Sequence, residues 1–234
     1  MHHHEYEDVY GRALYDYYSS GEAATLYLHT SYGILEEMPV DWFFRDEEDF
    51  PSLEWKALKL AQGKTLDIGA GVGSHAVYLN NKGIDVWALD NSPYCAKVMK
   101  ARGLNQVLCQ SIWDSLPNSY DCLLLLMNGI GIVNDIEGLR KFLRLASKIL
   151  NPGGSILFDS SDLTYLHPDL DITLFPYLGE VLYQYEYKGQ KGQAFSWLYI
   201  DPKTMRKFAN EAGWSMEVIY TDDKDQYLAR LWRQ

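Results

Sequence analysis

The stretch that most restricts the fold is residues 66–75, Leu-Asp-Ile-Gly-Ala-Gly-Val-Gly-Ser-His, where a short apolar run meets three alternating glycines and then a helix start. Residues 64–68 read as a buried strand, a short segment with Leu66 and Ile68 that stops at glycine. Gly69, Gly71 and Gly73 permit backbone conformations closed to other residues and leave no side chain between the main chain and a ligand. From Ser74 a helix should begin, with its unpaired N-terminal N–H groups facing the turn. Strand, glycine turn and helix in this order open an α/β unit with a nucleotide-like ligand at the turn.

Finer spacing narrows the ligand. A dinucleotide turn of the form G-x-G-x-x-G needs its third glycine at position 74, which is Ser74. The chain instead reads acid-x-Gly-x-Gly-x-Gly, with Asp67 two residues before Gly69 and Ala70 inside the turn. A second acid, Asp90, ends the apolar run 86–89 and lies 17 residues beyond Gly73. An acid at the end of the second strand accepts hydrogen bonds from ribose hydroxyls. Asn91, Ser92 and Pro93 then read as a helix entry, Ser92 as N-cap and Pro93 at the first helical position, with the helix running to about Ala101. A fourth strand, residues 122–127, leads into Asn128-Gly129-Ile130-Gly131 at the carboxyl edge, where open α/β sheets bind ligands. Asn128 is therefore a candidate ligand contact.

The glycine turn, Gly73-Ser74-His75-Ala76, the run Asp90-Asn91-Ser92-Pro93 and the later Leu150-Asn151-Pro152-Gly153-Gly154 together resemble class I S-adenosylmethionine-dependent methyltransferases over residues 60–160. The resemblance implies a Rossmann-like, doubly wound α/β fold: a mostly parallel seven-stranded sheet closed by a C-terminal antiparallel hairpin. It implies S-adenosylmethionine as cofactor and S-adenosylhomocysteine as product. Asp67 would meet the ammonium of the methionine portion, and Asn128 would shape the sulfonium and methionine region. Ser111 and Ile112 stand where relatives place an acid and an apolar residue against adenine; Ser111 Oγ can still accept from the adenine amine and the Ile112 N–H can still donate. Asp114 is an alternative acceptor. Ser74 stands where relatives commonly carry arginine.

Outside that core the chain divides by composition. Residues 1–60 read as an N-terminal helical cover, rich in tyrosine and including Trp42-Phe43-Phe44-Arg45, followed by a solvated acidic run at 46–49. Residues 61–160 form the cofactor-binding core, and residues 161–200 an insertion. In the insertion Val181, Tyr183, Tyr185 and Tyr187 alternate on one strand face, then Phe195, Trp197 and Tyr199 follow a turn, which predicts a hairpin. Residues 201–234 supply a last helix and a hairpin of 214–220 with 226–232. Between them, residues 135–150 are the best amphipathic helix, with Leu139, Phe142, Leu143, Ala146, Ile149 and Leu150 on one stripe and Arg140, Lys141, Arg144 and Lys148 on the other.

The 234 residues suit one methyltransferase domain, and a formal charge of −11 opposes phosphate backbones and anionic membrane surfaces as partners. The longest apolar stretch, 122–133, is shorter than the ~20 residues of a membrane-spanning helix. Three cysteines without Cys-x-x-Cys spacing fit a reducing cytoplasm, with Cys109 and Cys122 expected as core residues. His2-His3-His4 reads as a terminal tail rather than a metal site. The expected partner is a small-molecule methyl acceptor bound by a monomer or homodimer.

A sulfonium methyl is already activated, so catalysis needs chiefly an aligned nucleophile, an O, N or S atom in line with the methyl–sulfur bond. Where a proton must leave, His75, Asp159 and His167 are the candidate bases. Asp159 and Asp162 lack a clear third ligand, so no metal is assigned. Two other readings stay open at this point: a noncatalytic S-adenosylmethionine-binding sensor or assembly protein, and an NAD-dependent oxidoreductase.

Overall fold

Short apolar runs alternate with amphipathic ones along much of the chain, and the computed structural model turns this alternation into strands and helices. It describes residues 8–22, 25–117, 119–163 and 177–233. In chain order the first elements are α1 (Val9–Ser20), β1 (Leu26–Thr30), β2 (Leu35–Met38), a 3-10 turn (Val40–Phe44), α2 (Ser52–Leu60), β3 (Thr65–Ile68) and α3 (Ser74–Asn81). Then come β4 (Val86–Asp90), α4 (Pro93–Ala101), β5 (Val107–Cys109), β6 (Tyr120–Leu125), a second 3-10 turn (Gly129–Val133), α5 (Ile136–Ile149) and β7 (Leu150–Ser161). The last are β8 (Glu180–Tyr187), β9 (Gln190–Lys191), β10 (Phe195–Leu198), α6 (Pro202–Glu211), β11 (Ser215–Thr221) and β12 (Gln226–Trp232).

Seven strands form one sheet in the order β11-β12-β7-β6-β3-β4-β5. The β4/β5 and β6/β7 pairs are parallel, while β7/β12 and β11/β12 are antiparallel. This is the expected Rossmann-like sheet with its C-terminal hairpin. Its inner strands are buried without alternation because helices cover both faces of such a sheet: β3 is buried at all four positions, the polar Thr65 and Asp67 included, and Leu123, Leu124 and Leu125 of β6 are fully buried. A second sheet runs β10-β8-β1-β2, with β9 on β8.

The expected helix ends hold. Ser92 caps α4 by accepting from Cys95 N–H at 3.0 Å, with Pro93 at the first helical position. Asp135 caps α5 by accepting from Gly138 N–H at 2.7 Å, and the α5 stripe of Leu139, Phe142, Leu143, Ala146 and Ile149 is buried. Burial of each large side chain there contributes on the order of 2 kcal/mol. Asp201 caps α6 through Lys203 and Thr204 N–H.

Two results differ from the sequence reading. The N-terminal segment holds helices, but also the β1/β2 pair, whose β1 joins β8 antiparallel with Tyr27 opposite Glu186 and Leu28 opposite Tyr185. Cys109 is exposed rather than a core residue, because β5 is the outermost strand of its sheet; Cys95 and Cys122 are buried.

The described residues fall into two compact units. Unit one comprises residues 1–50, 67–115 and 182–195; unit two comprises 51–66, 116–181 and 196–234. In unit one, Val9, Ala13 and Leu14 of α1 join Val72 of the glycine turn and Cys95 and Val98 of α4 in a single core cluster. The helix that opens the chain is thus built into the support of that turn. In unit two the core gathers Phe142, Leu143, Phe158 and Tyr227, the last two meeting edge to face at 6.1 Å.

Candidate functional site

In unit one the chain leaves β3 through Gly69, Gly71 and Gly73, with φ of 72°, 56° and 81°. Only glycine takes such angles without steric cost. Gly69 and Ala70 N–H donate to Leu89 O at 2.8 and 3.0 Å, which folds the turn onto the end of β4. A Cβ at Gly73 would stand 2.9 Å from both Met99 Cγ and Leu104 Cδ1, so the last glycine also lets the turn rest on α4. Asp67, on β3, is buried.

Asp90 sits where β4 ends and braces two loops. Its Oδ2 accepts from Gly71 N–H at 2.8 Å and its Oδ1 from Ser92 N–H at 2.8 Å. Burial pushes its pKa up to about 6; the two N–H donors oppose that rise, and the charges of Asp8 and Asp67 add to it. Asp8 in turn caps α1 through Gly11 N–H at 2.8 Å and accepts from Ser92 Oγ. Gly11 is required at this seam, since a Cβ there would collide with Ser92 Oγ and the Asp8 carboxylate.

Two side chains at the turn lie beyond what the sequence revealed. Arg102, at the end of α4, donates to Val72 O at 2.9 Å and Ser74 Oγ at 3.1 Å, while Ser74 Oγ donates to Phe43 O at 2.7 Å. A guanidinium thus braces the turn from a position 28 residues after Ser74. Tyr10 brings its hydroxyl within 3.3 Å of where a Gly71 Cβ would lie. Its ring stacks on Tyr185 at 5.0 Å and meets Phe43 edge-on at 5.3 Å. Burial raises the Tyr10 pKa well above 10, aided by Cys95, Tyr185, Asp90 and Asp8, so the phenol stays neutral and able to donate. Linear sequence marks Tyr10 only as one of many N-terminal tyrosines.

The remaining unit-one candidates take these places. Asn91 is exposed beside Asp90. The segment after β5 returns to Asp90 through Gln110 N–H, which donates to Asp90 O at 3.1 Å. There Ser111 Oγ accepts from Trp113 N–H, Asp114 Oδ2 accepts from Ser111 N–H, and Ile112 is buried. Asp114 therefore caps the turn that carries Ser111. His75 is buried in the first turn of α3, its ring 5.2 Å from Phe50.

Unit two carries Asn128 and Asp159. β6 ends in Met127 and Asn128, with φ of 64° and 55°, before the 3-10 turn at Gly129–Val133. The Asp159 carboxylate, fully buried on β7, accepts from Asn128 N–H at 2.9 Å, Gly129 N–H at 3.3 Å and Gln226 Nε2 at 2.6 Å. Ser161 Oγ donates to Asn128 Oδ1 at 2.8 Å and Trp197 Nε1 to Asn128 O at 3.1 Å. Gln226 and Trp197 carry no sequence signal for this role, lying 67 and 69 residues from their partners. His167 lies outside the described residues. Among the described residues no group of three or more His, Cys, Asp and Glu side chains is gathered to hold a metal ion, and no helix is long and apolar enough to cross a membrane.

Known proteins share this fold. A family model described as a methyltransferase domain matches residues 66–158, from the last residues of β3 before the glycine turn to β7. Among curated protein sequences none matches. Among solved structures, an S-adenosylmethionine-dependent methyltransferase from Bacteroides fragilis in complex with S-adenosyl-L-homocysteine superposes with a TM-score of 0.91 at 37% identity, over 98% of this chain and 96% of that one. A sugar N-methyltransferase from a Streptoalloteichus species shares the fold at 16% identity and a TM-score of 0.60, over 87% of this chain and 96% of that one. Of the readings left open by the sequence, the methyltransferase is the one these relatives carry. On a relative this similar along nearly its whole length, the chain belongs to the S-adenosylmethionine-dependent methyltransferases and takes S-adenosylmethionine as its cofactor.

Proposed function

We propose that this methyltransferase moves the methyl group to an O, N or S atom of a small molecule by in-line displacement. The observation that carries the reading is an aromatic row beside the glycine turn. Tyr10, Tyr185 and Phe195 stack in sequence at 5.0 and 5.2 Å, and the Tyr10 hydroxyl stands over Gly71. Such a wall suits the flat or apolar part of a small acceptor. The net charge of −11 works against polyphosphate acceptors.

The residues present fit the cofactor. The turn holds three glycines at positive φ with no side chain in the way, and Asp90 stands at the strand end that takes a ribose. Bound S-adenosylmethionine supplies a methyl group activated by its sulfonium. In this reading Asp67 holds the ammonium, and the Gly69-Ala70-Gly71 backbone with Gly73 accommodates the methionine portion. Asp90 and Asn91 serve the ribose, Ser111 and the Ile112 N–H serve adenine, and Asn128 serves the sulfonium side. Rate then comes from alignment of acceptor and methyl group.

Calorimetric titration with S-adenosylmethionine, S-adenosylhomocysteine and NADH, followed by an acceptor panel read by S-adenosylhomocysteine release, tests this. Binding of the first two ligands alone and turnover on small acceptors is expected, with Tyr185→Ala raising the acceptor KM while leaving the S-adenosylhomocysteine Kd within twofold. Methylation of RNA or protein with no small acceptor turned over would overturn it.

A further inference from the structure

We propose that Asp159 is a positioning residue for methyl transfer: its buried carboxylate holds the left-handed turn at Met127 and Asn128, and so sets Asn128 at the ligand edge of the sheet. The proposal rests on the reading of Asn128 as a cofactor contact.

The turn does not hold itself. Two successive non-glycine residues have positive φ, and methionine has no side-chain group that favours it. Such a conformation persists where the surroundings over-determine it. Here three side chains, carried by two strands, act on one residue. Asp159 of β7 takes the Asn128 and Gly129 N–H groups, Trp197 of β10 donates to the Asn128 carbonyl, and Ser161 of β7 donates to Asn128 Oδ1. Trp197 reaches that carbonyl only because position 131 is glycine; a Cβ there would collide with the indole. Main-chain donor, main-chain acceptor and side-chain oxygen of Asn128 are thus all engaged.

This geometry separates Asp159 from proton transfer. Both oxygens accept from N–H donors, and the residue has no exposed surface. Burial lifts its pKa to about 6 against the pull of the Asn128, Gly129 and Gln226 donors, and Glu54 of α2 lifts it further. A second titratable neighbour, Tyr227 of β12, is held neutral by burial. Below pH 6 the carboxyl gains a proton, and a neutral carboxyl accepts more weakly from the two N–H groups.

The test uses S-adenosylhomocysteine as probe in titrations from pH 5 to 8, with amide proton NMR of Asn128 and Gly129. In the wild type, affinity should fall ~10-fold from pH 7.5 to 5, and both amide resonances should titrate together near pH 6. Asp159→Asn should lose ~10-fold at pH 7.5, move both resonances and remove the Asp159 share of the pH step. Wild-type Kd and unmoved resonances in Asp159→Asn, alongside a weakened Asn128→Ala, would overturn the proposal alone. An unchanged Kd in Asn128→Ala would overturn the reading of Asn128, and the proposal with it. A pH step kept at full size in Asp159→Asn belongs to Asp90 and counts against the tether. Should Asp159→Asn fold poorly, Gln226→Ala serves instead: removing one donor should move the amide titration midpoint above 6, and an unmoved midpoint would overturn the proposal.

Discussion

The turn after β3 and the turn after β6 use the same device in different residues. Each follows a buried strand, each runs through positive φ, and each gives backbone N–H groups to a carboxylate with a pKa near 6: the half-buried Asp90 for the first, the fully buried Asp159 for the second. The first turn is made of glycines and holds its shape at no steric cost. The second uses Met127 and Asn128 and needs Asp159, Ser161 and Trp197 to hold it. A glycine turn therefore carries its conformation in its own residues, whereas the other carries it in its neighbours.

The largest expected effect comes from filling the space each turn depends on. Gly73→Val meets Met99 and Leu104 at a positive φ, and Gly131→Val meets the Trp197 indole; each should cost about 3–5 kcal/mol in denaturant unfolding. If Gly131→Val proves harmless, the second turn is not held by Trp197 and the comparison fails.

Next is loss of the carboxylates. Asp159→Ala strands two buried N–H groups and the Gln226 amide, for about 3 kcal/mol, and Asp90→Ala strands two N–H groups nearer the surface, for about 2 kcal/mol, both by urea midpoint. The reverse order would show that the glycine turn leans harder on its acid.

Acidity gives the third. A carboxylate whose native pKa is raised takes its proton first in the folded state, so its contribution to stability is full below the unfolded value of ~4 and is lost as pH rises through 6. Asp90 and Asp159 should each make the protein about 1–2 kcal/mol more stable at pH 5 than at pH 7. Asp16, Asp121 and Asp201, whose pKa values are lowered, oppose this only when pH falls below the ~4 of unfolded Asp. Melting temperature against pH should thus rise on mild acidification while S-adenosylhomocysteine affinity falls. A flat profile in Asp90→Asn but not in Asp159→Asn would assign the slope to one turn only.

The smallest effects exchange the two chemistries. Met127→Gly should stabilise by about 1 kcal/mol by removing the left-handed cost, and Gly71→Ala should lose about as much at its φ of 56°, both by chemical denaturation. Equal responses at the two positions would mean that Met127 is not strained.

Most of the framework was legible because local chemistry states it. The glycine turn, the Ser92-Pro93 helix entry and the α5 stripe each lie within a few residues of what they determine. What escaped is non-local. β1 and β2 are short, β2 presents Glu36 and Glu37 to solvent, and their place in a sheet depends on β8 about 150 residues later. Asp159 was visible as an acid at a strand end, but its hydrogen bonds to Asn128, Gly129 and Gln226 arise only when β6, β7 and β12 pair. Arg102 belongs to the same group, since its meeting with Ser74 depends on how α4 packs beside the turn.

The exposure of Cys109 makes one thiol of the chain open to selective labelling. Cys95 and Cys122 are buried, so a maleimide fluorophore should attach at Cys109, more slowly than to a free thiol because partial loss of hydration and the Asp90 charge raise its pKa. Cys109 pairs in register with Asp90, so the dye would sit one strand from the proposed ribose contact. Its emission would report cofactor occupancy in real time without knowledge of the acceptor.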